Sequence, residues 1–395
     1  MMQRKIIALA IAGLASGAAL AQADVTIYGV VDLGQAWVKS SGGFNAKTGQ
    51  KAPDQQTVGR LDSNSSHLGF RGSEDLGDGN KAFFRFETGF AGDVGGWGAG
   101  RDTYVGLSGN WGTVLGGVLT HPLRVMGSVK AEITPGGTGL GTLSSIVGSI
   151  HGIHTGADDR ASNLIAYTTP KFGGATGTVV YINGESRGAD SKGNNANARA
   201  WQMALQYDEG PLYAGIGYHK SYDTRNPDRA LGAVVPMNGM DTRIWRAAAV
   251  YTAPFGTKFL ALYDNTKITD FDLAFADHGP GSANLARTAW AIGALHPFGN
   301  NALGLQYGRS GNTSVSGKPD FNDKANMWTA LYTYSFSKRT MLAGRYSRLA
   351  NGRDGNVNFY LGTVTNNGVN TGSGKDNTYN GATFSGFEIA LRHNF

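Results

Sequence analysis

The sequence predicts an all-β fold: a 16-stranded antiparallel transmembrane β-barrel with short periplasmic turns, long extracellular loops and an inward-folded third loop. Three observations lead there. The C-terminal segment alternates, Phe387, Ile389, Leu391, His393 and Phe395 against Glu388, Ala390, Arg392 and Asn394, up to the last residue. That is a period-2 strand with an oily and a polar face, as in a wall between lipid and a wet lumen. The N-terminus carries an export signal, and the connections between strand-like segments alternate in length.

Arg4 and Lys5 precede an apolar run from Ile6 to Leu20, and Ala21-Gln22-Ala23 fits a small-residue cleavage site. Residues 1–23 are read as a signal peptide, with cleavage after Ala21 as the alternative, and 24–395 as the barrel domain. The run is too short and too broken by Gly and Ser to span a bilayer as a helix, and nothing after it approaches 18 consecutive apolar residues. Mean hydropathy is negative, −0.25, which a barrel tolerates because about half its strand residues face water. Cysteine is absent, which removes disulfides, thiol catalysis and Cys-based metal sites. The formal charge of +6 falls to +4 without Arg4 and Lys5, and the basic residues are scattered, unlike a nucleic-acid binder.

Strand-like segments begin near Val25, Val58, Lys81, Asp102, Thr113, Ala161, Thr176, Ala198, Pro211, Asp241, Thr257, Leu285, Ala302, Ala325, Thr340 and Thr383. Short links such as Glu74–Asn80, Gly109–Gly112 and Ser335–Arg339 carry turn residues. They alternate with long Gly/Asn/Ser-rich links such as Ser40–Thr57, Ala91–Gly100, Gly184–Asn197 and Ala350–Ala382. A barrel with turns on one side of a membrane and loops on the other needs this parity. Parity predicts Phe84, Phe86, Leu212, Ile216, Leu303 and Leu305 toward lipid, and Arg85, Glu87, Tyr213, His219 and Gln306 inward. Asp241–Ala253 has no clear faces. Tyr28, Phe70, Phe90, Trp111, Phe172, Tyr207, Phe255, Phe298 and Phe336 lie near strand ends, as an interfacial aromatic girdle does.

The link of about 120–160 is too long to be structureless inside a compact domain, but in a barrel it can fold into the lumen and narrow it. It carries Arg124, Lys130, Glu132, Asp158 and Asp159. Wall candidates are Arg60, Arg71, Arg85 and Arg160. Arg71 and Arg85 fall on the inward parity of their strands, and because an Arg toward lipid near the midplane costs about 2–4 kcal/mol, a mid-strand Arg is expected to point inward. Charges on loop and wall make a transverse field that selects solutes. Gly136–Gly141 lacks phosphate-loop spacing and reads as flexible loop. His151 and His154 form H-x-x-H without an evident carboxylate ligand, a weak metal signal. No G-x-S-x-G elbow occurs. Neither a cofactor nor an enzymatic reaction is expected.

At this point the chain resembles the general porins of beta-proteobacteria, the Neisseria and Burkholderia group. The resemblance rests on Asp24–Asp32, on Ser66–Phe90 with its Gly69-Phe70-Arg71-Gly72-Ser73-Glu74-Asp75-Leu76-Gly77-Asp78-Gly79, on Arg101–Val114, on Arg160–Tyr167 and on Leu391–Phe395. It implies a homotrimer of sixteen-stranded barrels amid outer-membrane lipid and lipopolysaccharide, with passive diffusion of small hydrophilic solutes and ions. It also implies that Phe395 is read by the barrel-assembly machinery. There is one departure. The family's fifth strand commonly ends in an Arg facing the eyelet, and Val118 stands there. The expectation is a weakly anion-preferring pore. A substrate-specific channel for a small organic anion is the alternative, and an outer-membrane lipase or protease has no motif to support it.

Overall fold

Alternation of outward apolar and inward polar side chains carries through the computed structural model. It describes residues 25–45, 49–51, 54, 56–150, 153–154, 158–189, 195–224, 240–272, 281–318, 320–359 and 379–395. The expected signal segment, His151 and the ring of His154 lie outside the described residues.

Sixteen staves close into one antiparallel cylinder. They are β1 (Thr26–Asn45), β2 (Val58–Ser63 and His67–Gly77), β3 (Asn80–Phe90), β4 (Trp97–Gly100 and Thr103–Gly109), β5 (Gly112–Thr120) and β6 (Arg160–Thr168). There follow β7 (Ala175–Ala189), β8 (Asn195–Glu209), β9 (Leu212–Thr224), β10 (Met240–Thr252) and β11 (Lys258–Asp272). The last are β12 (Ser282–Phe298), β13 (Asn301–Ser310), β14 (Ala325–Ser335), β15 (Thr340–Asn351) and β16 (Tyr379–Asn394). Closure is made by β1 against β16, in register from Val30↔Asn394 to Asn45↔Tyr379. Phe395 adds a reciprocal backbone pair with Gly29, N–O 3.1 Å each way. A closed ladder leaves no open edge, so every stave's backbone polar groups find partners without water. Among the described residues no helix is long and apolar enough to cross a membrane.

The expected faces appear. Phe84, Phe86, Leu303, Leu305, Phe387, Ile389 and Leu391 are exposed on the outside, while Glu87, Gln306 and Glu388 are buried inside. Trp111, Phe172, Tyr207, Phe255, Phe298 and Phe336 are exposed at the short-turn ends. The Asp78 turn shows why the family-like Gly77-Asp78-Gly79 is there: all three residues have positive φ (84°, 52° and 76°), which favours Gly and tolerates Asp.

Several expectations need correction. Tyr28 is not a girdle residue. It points inward, its hydroxyl donating to Glu87 at 2.7 Å with the guanidiniums of Arg71 and Arg85 5.1 and 5.7 Å from its ring centroid. The second stave is broken at 64–66, where Asn64 and Ser66 turn inward to bond Glu388 and the backbone of Asp32. Trp97–Gly100, expected in a loop, pairs with β3. The link expected over Gly184–Asn197 is mostly hairpin, paired out to Ala189↔Asn195. β10 read ambiguously because its inward face, Ile244, Arg246 and Ala248, is covered by protein rather than water.

Candidate functional site

Residues 121–150, 153–154 and 158–159 lie inside the barrel as an irregular chain, with short helical runs at Pro122–Arg124, Val125–Lys130, Pro135–Gly137 and Ser144–Val147. Such a segment leaves many backbone groups unpaired, and buried ones must find partners. The wall supplies them from seven staves between β8 and β16. Gln202 of β8 accepts from Leu123 N, and Arg246 of β10 donates to Leu123 O at 3.0 Å. Arg287 of β12 donates to Ile146 O at 2.9 Å. Gln306 of β13 accepts from Ile133 N and donates to Gly141 O at 2.9 Å. Thr329 of β14 also donates to Gly141 O, Arg345 of β15 donates to Thr138 O at 2.7 Å, and Glu388 of β16 accepts from Leu140 N at 3.1 Å. Between these bonds Leu123, Met126, Leu140, Leu143 and Ile146 are fully buried. They seat where the wall is bare: a Cβ on Gly217, Gly308 or Gly386 would come within 3.2 Å of a loop side chain.

The loop's charges fall into two groups. Arg124 and Asp158 are buried in the seam between loop and wall. Arg124 Nη1 donates to Asp158 O at 2.5 Å, and the Asp158 carboxylate takes Arg246 at 2.5 Å, Ser128 at 2.8 Å and Ser144. Burial pushes the Asp158 carboxyl up, but the Arg246 and Arg124 guanidiniums and the Ser144 hydroxyl outweigh it and hold it below the usual carboxylate range. Glu132 is half-buried, its carboxylate enclosed by Thr134 Oγ1 and Thr142 Oγ1 and by Leu143 N at 3.1 Å. Burial pushes it up to about 7 against the pull of those donors. Lys130 is exposed and pairs with Asp208 at 2.8 Å. Asp159 sits at the loop's return, its carbonyl accepting from His121 N at 3.0 Å. Asp102 joins the loop's two ends, bonding Thr120 N and Oγ1 at 2.9 and 2.7 Å and Arg160 at 3.1 Å.

The loop leans on β8 to β16, and the remaining lumen guanidiniums lie on the inner wall of β1 to β6 and on the adjoining β16. Arg60 pairs with Asp62 at 2.6 Å. Arg85 lies 3.6 Å from Glu87 and 4.0 Å from Asp102, and Arg71 is exposed beside Tyr28. Arg101 meets Glu87 at 3.3 Å, and Arg392 meets Asp32 at 2.9 Å. The side chains of Arg60, Arg85, Arg101, Arg160 and Arg392 retain 16 to 30 % exposure, so these pairs are wetted rather than sealed. Arg101, Arg392 and Tyr28 were not singled out from sequence as lining residues. Arg392 was findable, because it shares the inward parity of Glu388. Among the described residues no cluster of His, Cys, Asp or Glu is arranged to hold a metal.

A sequence model of Gram-negative porins matches residues 8–354. The chain belongs to the Gram-negative porin family. This porin is 30 % identical over the whole of both chains to outer membrane porin protein 32 of Delftia acidovorans. It is 26 % identical to the major outer membrane protein P.IB of Neisseria gonorrhoeae, over 86 % of this chain and 91 % of that one. Among solved structures it superposes on an anion-selective porin from Comamonas acidovorans with a TM-score of 0.69 and 25 % identity, covering 95 % of this chain and all of the other. OmpT of Vibrio cholerae, at 13 % identity and a TM-score of 0.63, shares the fold. The porin resides in the Gram-negative outer membrane as a multi-pass barrel, a passive diffusion route for small hydrophilic solutes.

Proposed function

We propose that the porin prefers anions weakly, and that the preference arises where the loop of residues 120–160 narrows the lumen against the arginines of β1 to β6 and Arg392 of the adjoining β16. One observation carries this reading. Six wetted guanidiniums, of Arg60, Arg71, Arg85, Arg101, Arg160 and Arg392, share that wall with four carboxylates, of Asp32, Asp62, Glu87 and Asp102. Fixed charge of one sign beside low-dielectric walls raises the local concentration of the opposite ion. The near compensation keeps the preference weak. Val118 pairs with Thr103, and Arg101, two residues along, brings a guanidinium to the same wall. The Comamonas relative is titled anion-selective, which agrees.

In this reading Arg124 and Asp158 hold the loop in place, and the porin carries out no turnover. A homotrimer in lipid and lipopolysaccharide, removal of residues 1–23, and recognition of Phe395 by the assembly machinery complete it. Reversal potentials across a planar bilayer in a KCl gradient test the selectivity. Chloride should be favoured, and less so in Arg71→Gln/Arg85→Gln. A clear cation preference of the unmodified protein would overturn the reading. Three conductance steps per insertion are expected of the trimer.

A further inference from the structure

Beneath the loop, on the short-turn side, lies a cavity of about 470 Å³, within the range that holds small organic ligands. Its roof includes Val129, Lys130, Glu132 and Ile133, and its wall includes Tyr213, Val250, Leu295 and Lys258. The wall residues share the inward parity of their staves, with Tyr213 opposite Val250 and Lys258 opposite Leu295. Tyr213 is 6 % exposed and Val250 and Leu295 pack against the apolar core under the loop, and the surface they leave open faces this cavity rather than bulk water.

The charges in the cavity are unevenly matched. Lys130 is paired with Asp208, and its ammonium lies 5.2 Å from the Tyr213 ring centroid. Glu132 has its three donors. Lys258 has neither an ion pair nor a side-chain hydrogen bond among the described residues. What remains is one uncommitted ammonium at the edge of an apolar wall.

We propose that this cavity is a solute subsite for small monoanions with an apolar body, of the aromatic monocarboxylate class. Lys258 meets the carboxylate, and Tyr213, Val250 and Leu295 meet the ring. The subsite deepens the porin reading and rests on it, since a solute reaches the cavity only through the lumen.

Single-channel recording in KCl with benzoate or acetate added on the short-turn side tests it. Benzoate should reduce the current at a concentration at least about 10-fold lower than acetate, which has the charge without the ring. Lys258→Gln, with ordinary KCl conductance as proof of folding, should bring the two within about twofold. Equal effects of benzoate and acetate on the unmodified channel, or an unchanged benzoate preference in Lys258→Gln, would overturn the subsite and leave the porin reading intact. Absence of KCl conductance in the unmodified protein would overturn both.

Discussion

Glu132 shows how one loop residue ties structure to pH. Its carboxyl, raised from an ordinary value near 4.5 to about 7, binds a proton more readily in the folded protein than in the unfolded chain. The resulting stabilisation is full below pH 4.5 and is lost as pH rises through about 7. A shift of that size corresponds to up to about 3 kcal/mol. The unfolding midpoint in urea and detergent is therefore expected to be higher at pH 5 than at pH 8, and Glu132→Gln should flatten that difference. A steeper dependence in Glu132→Gln would contradict the assignment. Asp158 behaves oppositely: its depressed value keeps the seam charged across the same window, and it yields only in strong acid. Composition flagged both as loop acids but not their difference. That difference comes from Arg246, Ser128, Ser144, Thr134 and Thr142, partners brought in by folding.

The inward loop is positioned as an element by fit rather than by its own helical strength, since its helical runs are three to six residues long. Gly141 is a glycine of close approach between the loop and the barrel wall. It has φ of 83°, its carbonyl accepts from Gln306 and Thr329, and a Cβ there would meet Ser347 Oγ at 1.9 Å and Thr329 Oγ1 at 2.4 Å. Gly141→Ala is expected to cost about 1–3 kcal/mol through backbone strain and displaced partners. It should also raise open-channel noise in bilayer recordings as the loop loosens. Quiet channels of unchanged stability would show that the loop is held elsewhere. In the sequence, Gly136–Gly141 read as flexible. In the structure these glycines are close-approach residues: Gly139 faces Arg345, and Gly137 faces the backbone of Ser128. Glycine content signals both uses alike, and the neighbours decide between them.

At the scale of the whole molecule, the barrel offers a fixed and mostly compensated charge pattern, so its selectivity depends on the medium. The Debye length falls from about 10 Å at 0.1 M to about 3 Å at 1 M salt. The chloride preference is expected to shrink over that range, read as a reversal potential at a constant tenfold KCl gradient. A preference independent of salt would point to a specific binding step rather than a field.

The sequence alone determined the stave order, the faces of all but a few segments such as Asp241–Ala253, and the membrane setting. Alternation at period 2 is local, and each stave's parity is written in a few consecutive residues such as Leu303-Gly304-Leu305-Gln306. Only the tertiary structure decided which charges line the lumen and which lock the loop. The pairs Arg246–Asp158, Leu140–Glu388 and Ile133–Gln306 join residues 88, 248 and 173 positions apart. A carboxylate or guanidinium takes its role from the partner that excludes water from it. That partner is set by closure of the cylinder, not by neighbours along the chain.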